Sequence, residues 1–533
     1  MGERILLDCT LRDGGYLNDW NFGHDTIVSI FERLVSTGVE IIEIGFLDDR
    51  RSFDPDRTIM PDTFSADKIF SGLDRGNAMI VGMIDYGTCK IENIQPCEES
   101  YLDGIRVIFK EHHMYEAIAF CKQIKDLGYK VFSQMVSVTT YSDEKLAEFS
   151  KLANELCPYA VSIVDTYGLL HQNNLMHIFK ELDKHLRPEI SLGYHSHNNF
   201  QMAYANCIEI LNSSAERNIL VDGTLYGLGK SAGNAPLELL GMYMNDNLGK
   251  RYDISQMLEA IDVNIMDIYQ KVQWGYNLFY YVSASTKCHP SYVSYLMDKR
   301  TLSMKSVIEI LNKLEGEKKL LYDHKLIDKL YLDYQTMECN DEDSLRKLEN
   351  ELYGRKVLVL GPGNSMEKEI DSIIRYINEN KPIVIAINYI PKKYKPDYVF
   401  LANAKRYVQV STALSDELNK NTKLIATSNV TKTEGVFDYT LNYSFLIDEA
   451  TEIPDNSLIM LLRVFIKTGV TDVALAGFDG YSETETNYFN YNMEYSFARE
   501  KAKYLNEYTK GFLKDNRHHF SLSFVTPSCY QEE

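Results

Sequence analysis

A (β/α)8 barrel followed by a second α/β domain is the fold this sequence predicts, on three observations. Short apolar or β-branched runs alternate eight times with helical patterns up to Gly223, the strand signal then lapses, and the same alternation restarts at Lys356. The eight runs are residues 4–8, 41–46, 79–84, 104–109, 130–136, 160–165, 191–196 and 218–223. Between them lie stretches such as HDTIVSIFERLVSTG (24–38), whose apolar residues recur at helical spacing and which ends in glycine. Parallel strands joined by helices close most simply into a barrel, with an open doubly wound sheet as the alternative.

Three segments follow: a barrel over 1–250, a helical extension and linker over 251–354, and a Rossmann-like α/β domain over 355–533. In the middle segment QMLEAIDVNIMDIYQKV, SYVSYLMDKR, MKSVIEILNKL and DEDSLRKLENEL all read as helices. In the last, KVLVLGPGNS, PIVIAINY, DYVFLAN, KLIATSN and DVALAGFDGY read as strands of a sheet covered on both faces.

Composition narrows the function. The 533 residues exceed what one core serves, and 45% hydrophobic with 25% charged content is that of folded protein. A net charge of -20 argues against a nucleic-acid partner. Neither an apolar run near the roughly 18 residues of a membrane span nor a signal-peptide pattern is visible, so the cytoplasm is the expected address. Nine scattered cysteines without C-x-x-C spacing read as reduced thiols, with no disulfide framework and no zinc cluster.

Active sites of such barrels lie at the C-terminal strand ends, so the polar residues there carry the information. The first strand delivers Arg12 and Asp13, the second Glu43, the fifth Gln134, the sixth Asp165, the seventh His195 and His197, and the eighth Asp222. Side chains two apart on a strand point the same way, so His195 and His197 can present two imidazoles to one ion. With Asp13 they make a two-His-one-carboxylate set suited to a divalent cation with open positions. The Gly-rich GLGKSAGNAPLE after the eighth strand places Asn234 as a source of an amide oxygen.

TLRDGG, IEIGF, HSHNN and GLGKSAGNAPLE, in this order, resemble the DRE-TIM metallolyases, and among them the 4-hydroxy-2-oxovalerate aldolases. The resemblance covers roughly residues 4 to 300. It implies that Asp13, His195 and His197 bind a divalent cation, Mn2+ or Mg2+ before Co2+ or Zn2+, with Asn234 beside it. It further implies that Arg12 faces the substrate and that Glu43 orients Arg12. The expected substrates are a 2-oxo acid such as pyruvate, whose enolate Arg12 and the ion stabilise, and an aldehyde. Gly14 and Gly15 are expected to let substrate approach the backbone.

One position departs from that pattern. The aldolases carry a histidine base shortly after the Arg-Asp pair, where this chain has Tyr16, a poorer base near pH 7. His24, Tyr280 or a metal-bound water are the other routes for the proton. Ser231 stands where the acyl-CoA branch often has cysteine, which disfavours an acyl-CoA lyase. Claisen-type acyl-CoA condensation and a non-catalytic scaffold barrel are the alternative functions.

In the last domain, VLVLGPGNSMEKEI reads as strand, turn and helix with Ser365 as N-cap, an arrangement that favours phosphate. The nucleotide-binding candidates are Gly361, Gly363, Asn364, Ser365, Asn388, Asn403 and Asp479. This series is loosely similar to the nucleotide-binding halves of bacterial sialyltransferases and to Rossmann-like proteins of surface polysaccharide loci. The expected whole is an aldolase or lyase in surface-glycan sugar biosynthesis, fused to a nucleotide- or nucleotide-sugar-binding domain, and homo-oligomeric.

Overall fold

The computed structural model describes residues 2–531 except 300, 320–321, 337–338, 412–420, 432–435, 449–450, 491–492 and 495. The chain divides into two compact units, Met1–Lys287 and Cys288–Glu533.

The first unit is a closed parallel barrel. Its strands are β1 (Arg4–Asp8), β2 (Ile41–Leu47), β4 (Met79–Asp85), β5 (Gly104–Phe109), β6 (Lys130–Met135), β7 (Ala160–Asp165), β8 (Ser191–Ser196) and β9 (Ile219–Gly223). They pair in the order β1-β9-β8-β7-β6-β5-β4-β2, and β1 meets β2 to close the ring. A two-residue strand, β3 (Ile59–Met60), adds to the flank of β2 beyond the eight runs of the sequence. At that point β2 shifts register between Glu43 and Phe46. Gly45 makes the shift possible, because a Cβ there would lie 2.0 Å from the Thr58 carbonyl oxygen.

Strand alternation sorts the side chains. Outward residues such as Leu6, Ile42, Ile80, Ile105, Val131 and Ile163 form the core under the helices. Helix His24–Thr37 turns Ile27, Ile30, Phe31 and Leu34 to that core and stops at Gly38, left-handed at φ +81°. Inward residues near the strand starts are apolar, with Ile5, Leu7, Ile41, Val81, Phe132, Ala160 and Leu220 in one cluster. Two residues further along the same inward faces come Glu43, Arg106, Gln134, His195 and Asp222, all buried. The barrel therefore has an apolar bottom layer and, above it, a buried charged layer that forms the floor of the rim.

Asp8 shows what such burial does. It is fully buried, and loss of water raises its carboxyl pKa to about 7, although Thr10 donates to it through both N–H and hydroxyl. The folded state then keeps a proton that the unfolded chain releases near pH 4, so this contribution to stability is present below pH 4 and lost as pH rises to about 7. Across that window Asp8→Asn is expected to gain on the wild type by about 1.4 kcal/mol for each pH unit. Urea unfolding at pH 4 and pH 8 checks it; a gap independent of pH would contradict it.

In the second unit, helices Pro290–Asp298, Met304–Leu311, His324–Gln335 and Glu342–Leu352 precede a parallel sheet. The helical stretch expected as one extension is thus shared, since helix Leu278–Thr286 falls in the first unit. The sheet comprises β10 (Val357–Leu360), β11 (Ile383–Ile387), β12 (Tyr398–Leu401), β13 (Lys423–Thr427), β14 (Tyr439–Leu441), β15 (Asp472–Ala476) and β16 (Ser521–Phe524). The order β14-β13-β12-β11-β10-β15-β16 puts the switch of winding between β10 and β15. Val357 and Val359 pack on one face, Leu358 and Leu360 on the other, as a doubly covered sheet requires.

Candidate active site

Arg12 and Asp13 lie in the four-residue helix Thr10–Asp13 that follows β1, and both are buried. His195, inward on β8, and His197, just past its end, reach the same point from the other side. His195 Nε2 is 3.3 Å and His197 Nε2 3.5 Å from Asp13 Oδ2. One ligand atom from each of the three lies within 4.8 Å of the others. Asn234 comes from the Gly-rich loop, which pairs with His197 in an isolated antiparallel bridge, and its Nδ2 donates to Asp13 Oδ2 at 2.6 Å.

Asp13 Oδ1, His197 Nε2 and Asn234 Oδ1 are buried and have no hydrogen-bond partner among the described residues. Asp13 Oδ1 faces Arg12 Nη1 at 3.3 Å, and the converging oxygen and nitrogen atoms of Asp13, His195 and His197 fit a divalent cation. The outer contacts also suit it. His195 Nδ1 is 2.9 Å from Asp222 Oδ2, and His197 Nδ1 is 3.0 Å from the Asp165 carbonyl oxygen. Each partner can accept an Nδ1 proton, which frees Nε2 for a cation, while the two carboxylates that flank His195 raise its pKa against the effect of burial. Burial lowers the His197 pKa to about 4, so it is neutral near pH 7. Burial opposes the charge on Asp13, yet Arg12 and the two histidines hold its carboxyl well below the usual range. Asp222→Asn should weaken metal binding by about 10- to 100-fold without removing a ligand. Competition against a chromophoric chelator measures this, and unchanged affinity would refute the orienting role.

Below the ligands lies a buried charge chain that the strand-end pattern did not reveal. Arg106, inward on β5 and fully buried, pairs with Glu43 Oε2 at 3.1 Å and with Asp222 Oδ2. Gln134, with its amide turned so that the oxygen faces the guanidinium, accepts from Arg106 Nε at 2.5 Å and Nη2 at 2.8 Å. Glu43 Oε2 also holds Arg12 Nε at 2.7 Å. Gln134 therefore meets the arginine of the floor. The available signal was the arginine itself, a charge inside the apolar run GIRVIF.

Two other expectations are redirected. Asp165 is an outward position on β7, by the alternation that turns Ala160 and Ser162 inward. Its carboxylate accepts from Leu169 N at 2.9 Å and Leu170 N at 3.1 Å and so shapes the next loop. Burial raises its pKa to about 6, and only its carbonyl oxygen reaches the ligand set. The glycines after Asp13 make room for the protein itself. A Cβ on Gly14 would lie 2.4 Å from Leu228, and one on Gly15 would lie 2.0 Å from Trp20, whose Nε1 donates to the Arg12 carbonyl oxygen at 2.8 Å.

Tyr16 reaches the mouth of the barrel, beneath Lys230 Nζ at 5.1 Å from its ring centre. Loss of water pushes its hydroxyl well above the ordinary value, against the pull of Arg12, so the phenol is a proton donor near pH 7. His24 begins the exposed end of its helix, and Tyr280 lies in the first turn of helix Leu278–Thr286.

In the second unit a cavity of about 150 Å³ lies at the switch point of the sheet. Gly363, Asn388, Asn403 and Asp479 line it, together with Asp455 and Tyr488. Several of these candidates already have partners. Asn364, not Ser365, is the N-cap of the four-residue helix Ser365–Lys368. Asp479 accepts from Ser365 N at 2.8 Å and from its hydroxyl, so a carboxylate of the chain fills the place expected for phosphate. Asn388 spans Ser457 and the Ala402 N–H, Asn403 caps helix Ala404–Val410, and Asn364 donates to the Thr486 carbonyl. Gly361 and Gly363 pack against the Gly477 carbonyl, 2.6 Å from where a Cβ would stand.

Fold and site define a class: a (β/α)8 enzyme barrel whose C-terminal rim gathers two imidazoles, a carboxylate and an arginine. A model of the HMGL-like family matches residues 4–265. An oxaloacetate decarboxylase of Mycobacterium tuberculosis is 28% identical over 45% of this chain and 69% of its own length. A 4-hydroxy-2-oxovalerate aldolase of Bacillus cereus is 24% identical over 51% of this chain and 79% of its own. Among solved structures, an HMG-CoA lyase of Bacillus subtilis aligns over 52% of this chain and 95% of its own, at 16% identity and TM-score 0.41. No described helix is long and apolar enough to cross a membrane.

Proposed function

We propose that the barrel generates the enolate of a 2-oxo acid such as pyruvate and makes or cleaves a C–C bond to it, as a metal-dependent carbon–carbon lyase. The observation that carries this reading is the convergence of buried Asp13, His195 and His197, one ligand atom from each lying within 4.8 Å of the others, beside the Arg12 guanidinium. Asp13, His195, His197 and Asn234 would hold the ion. A divalent cation there supplies Lewis acidity toward the oxygens of the oxo acid.

The chain's own residues do the rest. Arg12, held by Glu43 and Asp13 so that its charge is permanent, stands where negative charge develops on the enolate oxygen. Tyr16 keeps its proton and, in the bond-forming direction, can deliver it to the alkoxide oxygen of the newly formed alcohol. The names of the relatives, an oxaloacetate decarboxylase and a 4-hydroxy-2-oxovalerate aldolase, support chemistry next to a 2-oxo acid.

Deuterium uptake into the methyl group of pyruvate, followed by NMR on manganese-loaded protein, tests the reading without knowledge of the acceptor. Exchange well above the solution rate is expected. Exchange at the solution rate, with metal bound, would remove the enolate step.

The cavity at the switch point of the second sheet supports a further reading, a nucleotide or nucleotide-linked sugar held there for surface-glycan synthesis. Buried Thr509 Oγ1 in its wall lacks a partner among the described residues. The test is a melting-temperature screen with UDP- and CMP-linked sugars; the absence of any shift would end this reading.

A further inference from the structure

Four strand ends deliver charge to the barrel mouth above the ligand set. Asp85 ends β4, Lys110 follows β5, Lys230 follows β9, and Arg12 follows β1. In the ring order, β5 and β9 are four places apart in eight, so Lys110 and Lys230 stand on opposite sides.

Arg12 is compensated by Glu43 and Asp13, and Arg50 by Asp48 at 2.5 Å. Lys110 and Lys230 form no ion pair among the described residues. The charges that face Lys230 are Asp13, Arg12, Asp85 and Lys110, and those that face Asp85 are Lys110, Lys230, Arg50 and His113. Asp13, which Arg12 also engages, faces Lys230 alone of the two lysines, and both lysines share the carboxylate of Asp85. The mouth thus presents two lysines outside any ion pair among the described residues, in a chain whose net charge is -20.

Lys230 is also held in place. Gly233 N donates to its carbonyl at 3.0 Å, Asn234 N donates to Gly227 O at 3.0 Å, and Asn198 N donates to Gly233 O at 2.8 Å. The same loop thus carries Asn234 and is tied to the segment of His197. The lysine stem leans on the Tyr16 ring, with the ammonium 5.1 Å from the ring centre. A cation so close to the Asp13–His197 point, with no carboxylate of its own, has room for the anion of a ligand.

We propose that Lys230, aided by Lys110, selects an acceptor aldehyde that carries a second anionic group, a carboxylate or a phosphate. The inference rests on the enolate reading of the barrel and adds the substrate class of the acceptor. A neutral aldehyde leaves the two lysines facing each other across the mouth, whereas an anionic one neutralises them as it enters.

The test uses the manganese-loaded full chain with pyruvate and three acceptors: succinic semialdehyde, glyceraldehyde 3-phosphate and propanal. In the wild type, kcat/KM for one anionic acceptor is expected to exceed that for propanal by about 10-fold or more. That ratio falls toward one in Lys230→Met and recovers in Lys230→Arg, which a merely structural loss would not do. Which anionic acceptor is favoured tells carboxylate from phosphate. Calorimetric titration with the same acceptors reads the selection without turnover, so absent methyl exchange would sink the enolate reading alone. Equal ratios or affinities for charged and neutral acceptors in the wild type, or a ratio untouched by Lys230→Met, would overturn the proposal.

Discussion

Bound divalent cation is expected to fall from stoichiometric to background when His195 and His197 are both changed to alanine, and pyruvate methyl exchange to fall with it by on the order of 10³-fold. The double change removes two of the three side chains within 4.8 Å of one another and leaves Asp13 with Arg12 as its main counter-charge. The fold should survive, because both imidazoles face the interior of the rim and the helix core lies on the other side of β8. Elemental analysis of the purified variant, with circular dichroism to confirm folding, is decisive. Full metal occupancy in the double variant would show that the ion is held elsewhere, and the reading of this rim would fall.

The largest effect on stability is expected from Arg106→Met, about 3–5 kcal/mol of destabilisation. Methionine fills much of the volume, but Glu43 and Asp222, both buried, would lose the cation they share. Replacing Glu43 with Gln and Asp222 with Asn in the same chain should recover part of the loss, since the uncompensated charges would be gone. Both tryptophans, Trp20 and Trp274, lie in the first unit, so their fluorescence during urea unfolding follows the barrel alone. A loss under about 1 kcal/mol would mean that water or a proton already compensates those carboxylates.

The barrel was legible because its strands repeat one pattern. Runs 4–8, 104–109, 160–165 and 191–196 coincide with β1, β5, β7 and β8, and the other four differ by one residue at an end. Three short strands escaped. Ile59–Met60 is a two-residue flank on a bulge, and Tyr439–Leu441 and Ser521–Phe524 are too short or too polar to carry a period. In the second unit the five longer strands were all visible, since each is a continuous apolar run.

The site divides along the same physical line. That Asp13, His195, His197 and Asn234 gather at one point was readable because the pattern is local, two imidazoles on alternate strand positions and an amide in a glycine loop. Asp165 was placed by its strand end, which one step of alternation turned outward. Arg106 and Lys230 show the opposite failing, because their meaning depends on partners far away in sequence. Nothing near residue 106 announces Asp222, and nothing near residue 230 announces Tyr16 or Lys110. For Gly14, Gly15, Gly361 and Gly363, a glycine spacing that suggests ligand approach and one that admits a neighbouring chain segment look identical in sequence.

Arg106 touches, through Glu43, the arginine of the substrate side and, through Asp222, the histidine of the ligand side. Anyone diversifying this barrel should leave that floor untouched and randomise Tyr16, Asp85, Lys110 and Lys230 instead. The mouth residues come from separate segments and contact one another rather than the Arg106 ion pairs. Evolvability in this chain is concentrated at the entrance, while the floor admits change only through several simultaneous substitutions.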